Sequence, residues 1–387
     1  MASFYITGLS TSGRTLADGD YGYVGVNGAL LVDTGTAIYS GAGTVDVVVD
    51  GRVFNDSDLH AAMWLISDEA TVEIGPAGSV TSAHGNAIDI PVDYRATVVN
   101  FGTIRAAGAG IALSASDDAA YGYVTNTGLI DTRNHGIALD MEDGSAEVMN
   151  TGVVQSLSYG IYASYYSSND EVMVTNTGVL SGLAGAYHGS GGTDIVVNTG
   201  QIFGDVILGA GNDTFDGREG TVTGKINGYL GDDLYIIDDA SIVIDETLAS
   251  NGNDTVESAA SYVLGDTIEE LTLLGADDLT GVGNDLSNRL RGNGGANVLD
   301  GEGGGDYIFG RGGSDTILGG DGDDYLSANS GWDRVYAEAG NDTILGGAGR
   351  DLIDGGEGQD RASYYNAQLT GVFASLQNPA NNTGIAY

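Results

Sequence analysis

Near its end the chain repeats one side-chain pattern at nine-residue intervals, in the column Asn297, Asp306, Asp315, Asp324, Asp333, Asp342, Asp351 and Asp360. Two residues before each member stands a glycine, Gly295 through Gly358, and two residues after it an apolar residue, Leu299 through Ala362. With 65 glycines in 387 residues, eight in a row at this spacing arise by chance on the order of once in a million. Carboxylates beside glycine-rich turns supply the two kinds of oxygen that a hard divalent cation takes, side-chain carboxylate and backbone carbonyl. Glycine permits the positive φ that turns carbonyls toward an ion, and the apolar residue points into a core. The chemistry on offer is coordination of calcium, which gathers six to eight oxygens at about 2.3–2.6 Å.

Written out from Gly292 to Ser363 the segments are GNGGANVLD, GEGGGDYIF, GRGGSDTIL, GGDGDDYLS, ANSGWDRVY, AEAGNDTIL, GGAGRDLID and GGEGQDRAS, with no insertion. This pattern, G-G-x-G-x-D-x-U-x, resembles the calcium-binding nonapeptide of the repeats-in-toxin (RTX), hemolysin-type family. The resemblance implies several bound Ca2+ ions and a parallel β-roll in which two nonapeptides make one turn. Loops on one edge then stand 18 residues apart, with the ion between successive coils. One edge carries Asp306, Asp324, Asp342 and Asp360, the other Asn297, Asp315, Asp333 and Asp351. The implied ligands are those seven aspartates and the glycines Gly304, Gly313, Gly322, Gly340, Gly349 and Gly358. Looser upstream copies, GAGNDTFDG at 209–217, GYLGDDLYI at 228–236 and NGNDTVES at 251–258, add Asp213 and Asp233. The site using Asn297 is expected to be the weakest of its row, and the loops where Ala328-Asn329 and Ala337-Glu338 replace the glycine pair depart from the pattern.

A second, longer period precedes these loops. The phrases VVNFGTI at 98–104, VTNTGLI at 124–130, VMNTGVV at 148–154 and VVNTGQI at 196–202 align a column Asn27, Asp50, Gly75, Asn100, Asn126, Asn150, Asn176 and Asn198. A second column, Ile38, Met63, Ile88, Ile111, Ile137, Ile161 and Ala186, runs in step with it. Short β-branched runs separated by Asn-Thr-Gly turns predict parallel strands stacked coil on coil, each coil covering its neighbour's apolar face. The expected fold is all-β: a right-handed parallel β-helix continuing into a calcium-binding parallel β-roll. Its expected domains are the helix over 1–203, a transition with degenerate calcium loops over 204–282, the roll over 283–363, and the start of a further segment over 364–387. Asparagines stacked at one turn can hydrogen-bond from coil to coil, and VVNTGQIFGDVILGAGNDTFDG at 196–217 predicts that the helix runs into the first calcium-like loop without a spacer.

The charge balance agrees with bound cations. Against 13 basic residues stand 54 acidic ones, a net charge of −41, which argues against nucleic acid or an anionic lipid surface as partner and makes a divalent metal the natural counter-charge. No cysteine is present, so no disulfide framework or thiolate zinc site can form. No stretch reaches the roughly 18 apolar residues of a membrane span, and the first ten residues show no secretory pattern. The resemblance implies bacterial type I export through an uncleaved C-terminal signal, hence an extracellular protein.

The four histidines, His60, His84, His135 and His188, are each followed by alanine or glycine, so no H-E-x-x-H zinc helix occurs, and no G-x-S-x-G elbow occurs either. His84 and His135 read as turn residues. The tyrosines Tyr159, Tyr162, Tyr165 and Tyr166 could stack on sugar rings, which makes an extracellular polysaccharide a candidate partner. The sequence therefore predicts a secreted calcium-binding structural or adhesive repeat protein, not an enzyme. The alternative is a polysaccharide-modifying enzyme resembling alginate epimerases or β-helical lyases, with the calcium repeats as its export module.

Overall fold

The computed structural model describes residues 4–363 and 373–375, apart from 42, 59, 116–119, 143, 165–170 and 247–251. Among the described residues there is no helix, and the chain separates into two units, Met1–Leu230 and Gly231–Tyr387.

In the first unit the alternation of apolar and polar residues sets a period of two, so every strand turns one face inward. Tyr121–Asn126, Leu129–Thr132 and Ile137–Met141 are the three strands of one coil. Each lies parallel to its counterpart in the next coil, Ser145–Asn150, Val153–Ser156 and Tyr159–Ala163. Inward residues such as Val124, Ile130, Ile137 and Leu139 are buried, and three sheets enclose one aliphatic core. The expected continuation at the junction is present: Ile195, Val196 and Val197 pair with Thr214, Phe215 and Asp216, so the coil stack extends through the first calcium-like loop.

The asparagine ladder forms from Asn100 onward. Each buried Nδ2 donates to the Oδ1 of the next coil: Asn100 to Asn126 at 2.7 Å, Asn126 to Asn150 at 2.8 Å, Asn150 to Asn176 at 2.7 Å and Asn176 to Asn198 at 2.8 Å. Earlier coils correct the sequence alignment. The strand register places Ile74, Val49 and Val24 beneath Asn100, so Asn27, Asp50 and Gly75 fall outside the column. Aliphatic stacking replaces the amide ladder there. Asn27 is exposed, and Asp50 instead accepts from Tyr23 Oη at 3.0 Å. The second column also changes at its end, where Ile161 pairs with Tyr187, not with Ala186.

The second unit uses a smaller coil. Tyr307–Phe309 lies between Arg289–Arg291 and Tyr325–Ser327 in one sheet, and Thr316–Asp321 between Val298–Glu302 and Arg334–Ala339 in the facing sheet. Leu290, Ile308, Leu326 and Ile344 project from one sheet, Leu299, Ile317, Val335 and Ile353 from the other, and all are fully buried. Each of the first seven nonapeptides thus contributes one large apolar side chain to the core, and the eighth contributes Ala362. Of the segment expected to start a further element, Phe373–Ser375 adds a rung beside Leu352–Asp354, and the rest lies outside the described residues.

The amide ladder generates a stability prediction. Asn150→Ala removes the acceptor 2.8 Å from Asn126 Nδ2, which keeps the Val153 carbonyl at 3.2 Å, and deprives the buried Oδ1 of Asn176 of its Asn150 donor, a loss of about 1–3 kcal/mol. Denaturant unfolding of the first unit is expected to show it, whereas Asn27→Ala is expected to stay within about 0.5 kcal/mol. Equal effects would contradict the register.

Candidate metal centre

Two backbone positions bend each nonapeptide after the first into a loop. The second takes the left-handed conformation, at Glu302, Arg311, Asn329 and Glu338 with φ of 66–74°, which side chains tolerate at modest cost. The fourth lies further out, with φ from 105° at Gly304 to 155° at Gly331, a region open only to glycine. Neighbouring coils impose the same choice, because a methyl group on Gly322 would collide with the Gly304 carbonyl, and one on Gly340 with that of Gly322. The second position varies and the fourth does not for this reason.

The sixth-position residues form two ladders with an 18-residue step. On one edge Asn288 N–H donates to Asp306 Oδ1 at 2.7 Å, Asp306 N–H to Asp324 at 2.8 Å, Asp324 N–H to Asp342 at 2.9 Å and Asp342 N–H to Asp360 at 3.2 Å. On the other edge Asn297, Asp315 and Asp333 donate to Asp315, Asp333 and Asp351 at 2.8, 2.8 and 3.2 Å. The two edges are those expected from the sequence. Each carboxylate is thereby held by one oxygen. The other, Oδ2, is buried and accepts no hydrogen bond in Asp306, Asp315, Asp324, Asp333, Asp342 and Asp351.

Three of these oxygens lie against the first-position glycine of their own loop. A carbon built on Gly310 would stand 2.5 Å from Asp315 Oδ2 and 2.9 Å from the Ala328 carbonyl oxygen. Gly301 lies between Asp306 Oδ2 and the Gly319 carbonyl, and Gly319 between Asp324 Oδ2 and the Ala337 carbonyl. A first-position glycine therefore lets a carboxylate oxygen and the next coil's carbonyl both approach the backbone where a side chain would keep them out, and the buried carboxylate charge there has no donor among the described residues. Among the described residues no three acidic or histidine side chains converge on a point, so a cation held here draws most of its ligands from carbonyls, as calcium does. The donor set is all oxygen and fits calcium. Asn297 differs: its Oδ1 accepts from Asn293 N–H at 2.8 Å and its Nδ2 donates to Asn293 Oδ1 at 2.9 Å, so the amide satisfies itself.

Upstream, Asp213 and Asp233 are buried in the same manner, Asp213 Oδ1 accepting from Asp194 N–H at 2.7 Å and Asp233 N–H donating to Asp254 Oδ1 at 2.9 Å. Sequence reasoning missed Asp194 and Asp254. Asp194, in a Gly-Gly-Thr-Asp turn, accepts from Tyr187 Oη at 2.6 Å and from Ser190 N–H at 2.7 Å, and Asp254 stands in the NGND copy already noted. Of the histidines, His84 Nε2 sits 3.5 and 3.4 Å from Asp56 and Asp58. His135 is half-buried in a ring stack 4.5 Å from Tyr162. Tyr165 and Tyr166 lie outside the described residues.

Burial, partly opposed by the backbone hydrogen bond, drives the carboxylates upward: Asp306, Asp333 and Asp342 to about 7, Asp315 and Asp324 to about 6, with Asp351 and Asp360 raised as well. Neighbouring aspartates of the same ladder add to the rise at Asp306, Asp333 and Asp342.

The family model of the RTX calcium-binding nonapeptide repeat, in four copies, matches residues 206–223 and overlapping segments from 282 to 362. No curated protein and no solved structure matches the chain. The chain therefore carries RTX calcium-binding repeats on a parallel β-solenoid.

Two predictions follow from the geometry. Without calcium the folded roll binds more protons than the unfolded chain between about pH 4 and pH 7, so its stability is full below the unfolded carboxylate range and is lost as pH rises through about 6–7. Thermal unfolding of the chain in calcium-free buffer is expected to give a more stable roll near about pH 5 than near about pH 7.5, and equal stability would refute the burial of uncompensated carboxylates. The second concerns Ala328 and Ala337, fully buried where glycine stands in Gly301, Gly310 and Gly319. Ala328→Gly and Ala337→Gly are expected to lower the calcium midpoint, although the calcium-free roll loses about 0.5–1 kcal/mol each to backbone entropy. A midpoint that rises would show that the methyl groups do not obstruct the site.

Proposed function

We propose that this chain is an extracellular, calcium-dependent structural or adhesive repeat protein whose roll, residues 283–363, folds as it binds calcium. The observation that carries this reading is the pair of aspartate ladders, six of whose buried Oδ2 atoms accept no hydrogen bond. The ligands are Asp306, Asp315, Asp324, Asp333, Asp342, Asp351 and Asp360 with loop carbonyls, and Asp213 and Asp233 serve the degenerate loops. Between 292 and 363 the 14 acidic residues outnumber four arginines, and one apolar side chain per nonapeptide gives little burial against the ordering of glycine-rich backbone. Binding free energy then becomes folding free energy. Few carboxylates per ion place the affinity toward the weak range of extracellular modules, about 10⁻⁴–10⁻³ M, so the roll stays open inside the cell and closes outside it. RTX repeats are typical of bacterial proteins exported by the type I route, which supports the same location.

Hydrogen exchange on the full chain tests the folding. In chelator at about pH 7.5, above the raised carboxylate range, amides of 292–363 are expected to exchange rapidly while those of the first unit's coils stay protected, and millimolar calcium is expected to protect both. Asp324→Ala with Asp342→Ala is expected to raise the calcium midpoint at least about tenfold, the equivalent of about 1.4 kcal/mol. Protection of 292–363 in chelator, or an unchanged midpoint in the double variant, would overturn the assignment. Retention of the product in cells with a working type I exporter would overturn the location.

A further inference from the structure

The aspartate ladders occupy the edges of the roll, and its outer sheet face carries a different chemistry. Arg289, Arg291, Phe309, Arg311 and Asn329 line a groove of about 390 Å³ there. Three of the six basic residues after Gly231 converge at this place. Arg291 Nη1 is paired with Glu270 Oε2 at 2.8 Å. Arg289 and Arg311 have no carboxylate partner among the described residues, in a chain with 54 acidic residues. Arg289 lies instead over the Phe309 ring, 5.8 Å from its centroid.

Aromatic surface continues beside the arginines. The Tyr307 and Tyr325 rings stack at 5.8 Å and 28°, and Phe309 lies 6.0 Å from Tyr325. Register produces this patch, since Arg289, Tyr307 and Tyr325 pair in successive coils, as do Arg291, Phe309 and Ser327. Across three coils about 4.8 Å apart, the groove is about as long as one or two sugar rings. A groove on the first unit lined by Arg105 and Arg133 differs, because Arg105 Nε lies 3.5 Å from Asp131 and no aromatic ring lines it.

We propose that this groove binds the acidic sugar units of a polysaccharide. The ring stacks on Tyr307, Phe309 and Tyr325, and Arg289 and Arg311 take the carboxylate. Arginine's planar fork matches a carboxylate bidentately, and aromatic faces suit the apolar side of a sugar ring. Asn329 accepts from Arg311 N–H through Oδ1 at 3.3 Å, which leaves its amide Nδ2 to donate to a sugar hydroxyl. The net charge of −41 opposes any polyanion at long range, so the ligand is held by the local arginines and rings, and the test separates a uronate from a nucleotide. This deepens the adhesive reading above and rests on it in requiring a folded roll.

The test is calorimetry of the full chain in saturating calcium with three probes of matched length: tetragalacturonate, neutral maltotetraose and a thymidine tetranucleotide. Tetragalacturonate is expected to bind, with maltotetraose at least about tenfold weaker, and Arg289→Gln with Arg311→Gln is expected to weaken tetragalacturonate by about ten- to a hundredfold. The variant's calcium midpoint is expected to match that of the parent. No binding, equal binding of the neutral sugar, tighter binding of the tetranucleotide, or an unaffected double variant would each overturn the proposal. Hydrogen exchange on the same samples separates the two readings. A roll folded by calcium that ignores the sugar refutes this inference alone, and a roll already folded in chelator refutes calcium-driven folding while the same titration, run in chelator, still decides the groove.

Discussion

A carboxylate accepts hydrogen bonds and donates none, and the second unit depends on that asymmetry. In each ladder the aspartate Oδ1 takes the backbone N–H of the residue 18 positions earlier, which fixes the register of successive coils. Among the described residues no hydrogen-bond donor meets Oδ2 in six of these residues. The asparagine ladder of the first unit is the informative contrast, because an amide both donates and accepts, so each Nδ2 finds the Oδ1 of the next coil and the column closes on itself. Stacked amides satisfy a solenoid turn without help. Stacked carboxylates hold the same kind of turn and leave a lone pair and a negative charge per coil, and the proposed function gives a cation the place that the amide hydrogen fills elsewhere.

The change from one solution to the other is visible within the roll. Asn288 and Asn297 stand at the head of the two edges, and each is satisfied by protein atoms: Asn288 Nδ2 donates to the carbonyl of Ile268 at 3.1 Å, and Asn297 pairs with Asn293. Both then donate their backbone N–H to the first aspartate below them. The neutral amide that weakens a cation site thus also starts the ladder without an uncompensated charge. Asp194 plays a comparable part before Asp213, its carboxylate met by Tyr187 and Ser190.

Legibility in the sequence followed how tightly each position is constrained. From Gly304 on, fourth-position glycine was legible because φ beyond 100° and the carbonyl of the preceding coil exclude every side chain, and sixth-position aspartate because one of its oxygens takes a backbone N–H from the preceding coil and the other is buried. The β-helix was legible from Asn100 onward for the same reason. It was misread at Asn27, Asp50 and Gly75 because phrase similarity does not fix register where aliphatic residues, Val24, Val49 and Ile74, fill the column. Asp254 and Asp194 were overlooked because their loops keep the turn and lose the flanking nonapeptide spacing. The approach of the next coil's carbonyl to a first-position glycine was beyond reach of the sequence, since it joins residues 18 positions apart, such as Gly310 and Ala328, whose distance only the stacked backbone sets.

The nonapeptide also leaves freedom where it imposes no constraint. Its first, fourth, sixth and eighth positions serve the loop, the ladder and the core, while the seventh and ninth flank the buried aliphatic residue and face outward. Residues at one such position 18 apart become neighbours at the coil spacing of about 4.8 Å, so a few substitutions assemble a patch. Arg289, Tyr307 and Tyr325 are such a column, and Arg291 and Phe309 stand in the adjacent one. The core positions between them are kept by Leu290, Ile308 and Leu326. The outer face can therefore change its ligand chemistry without altering what the edges require, and the edges can demand calcium without limiting what the face recognises. A repeat under strict constraint at half its positions is for that reason a suitable support for a binding surface that varies at the others.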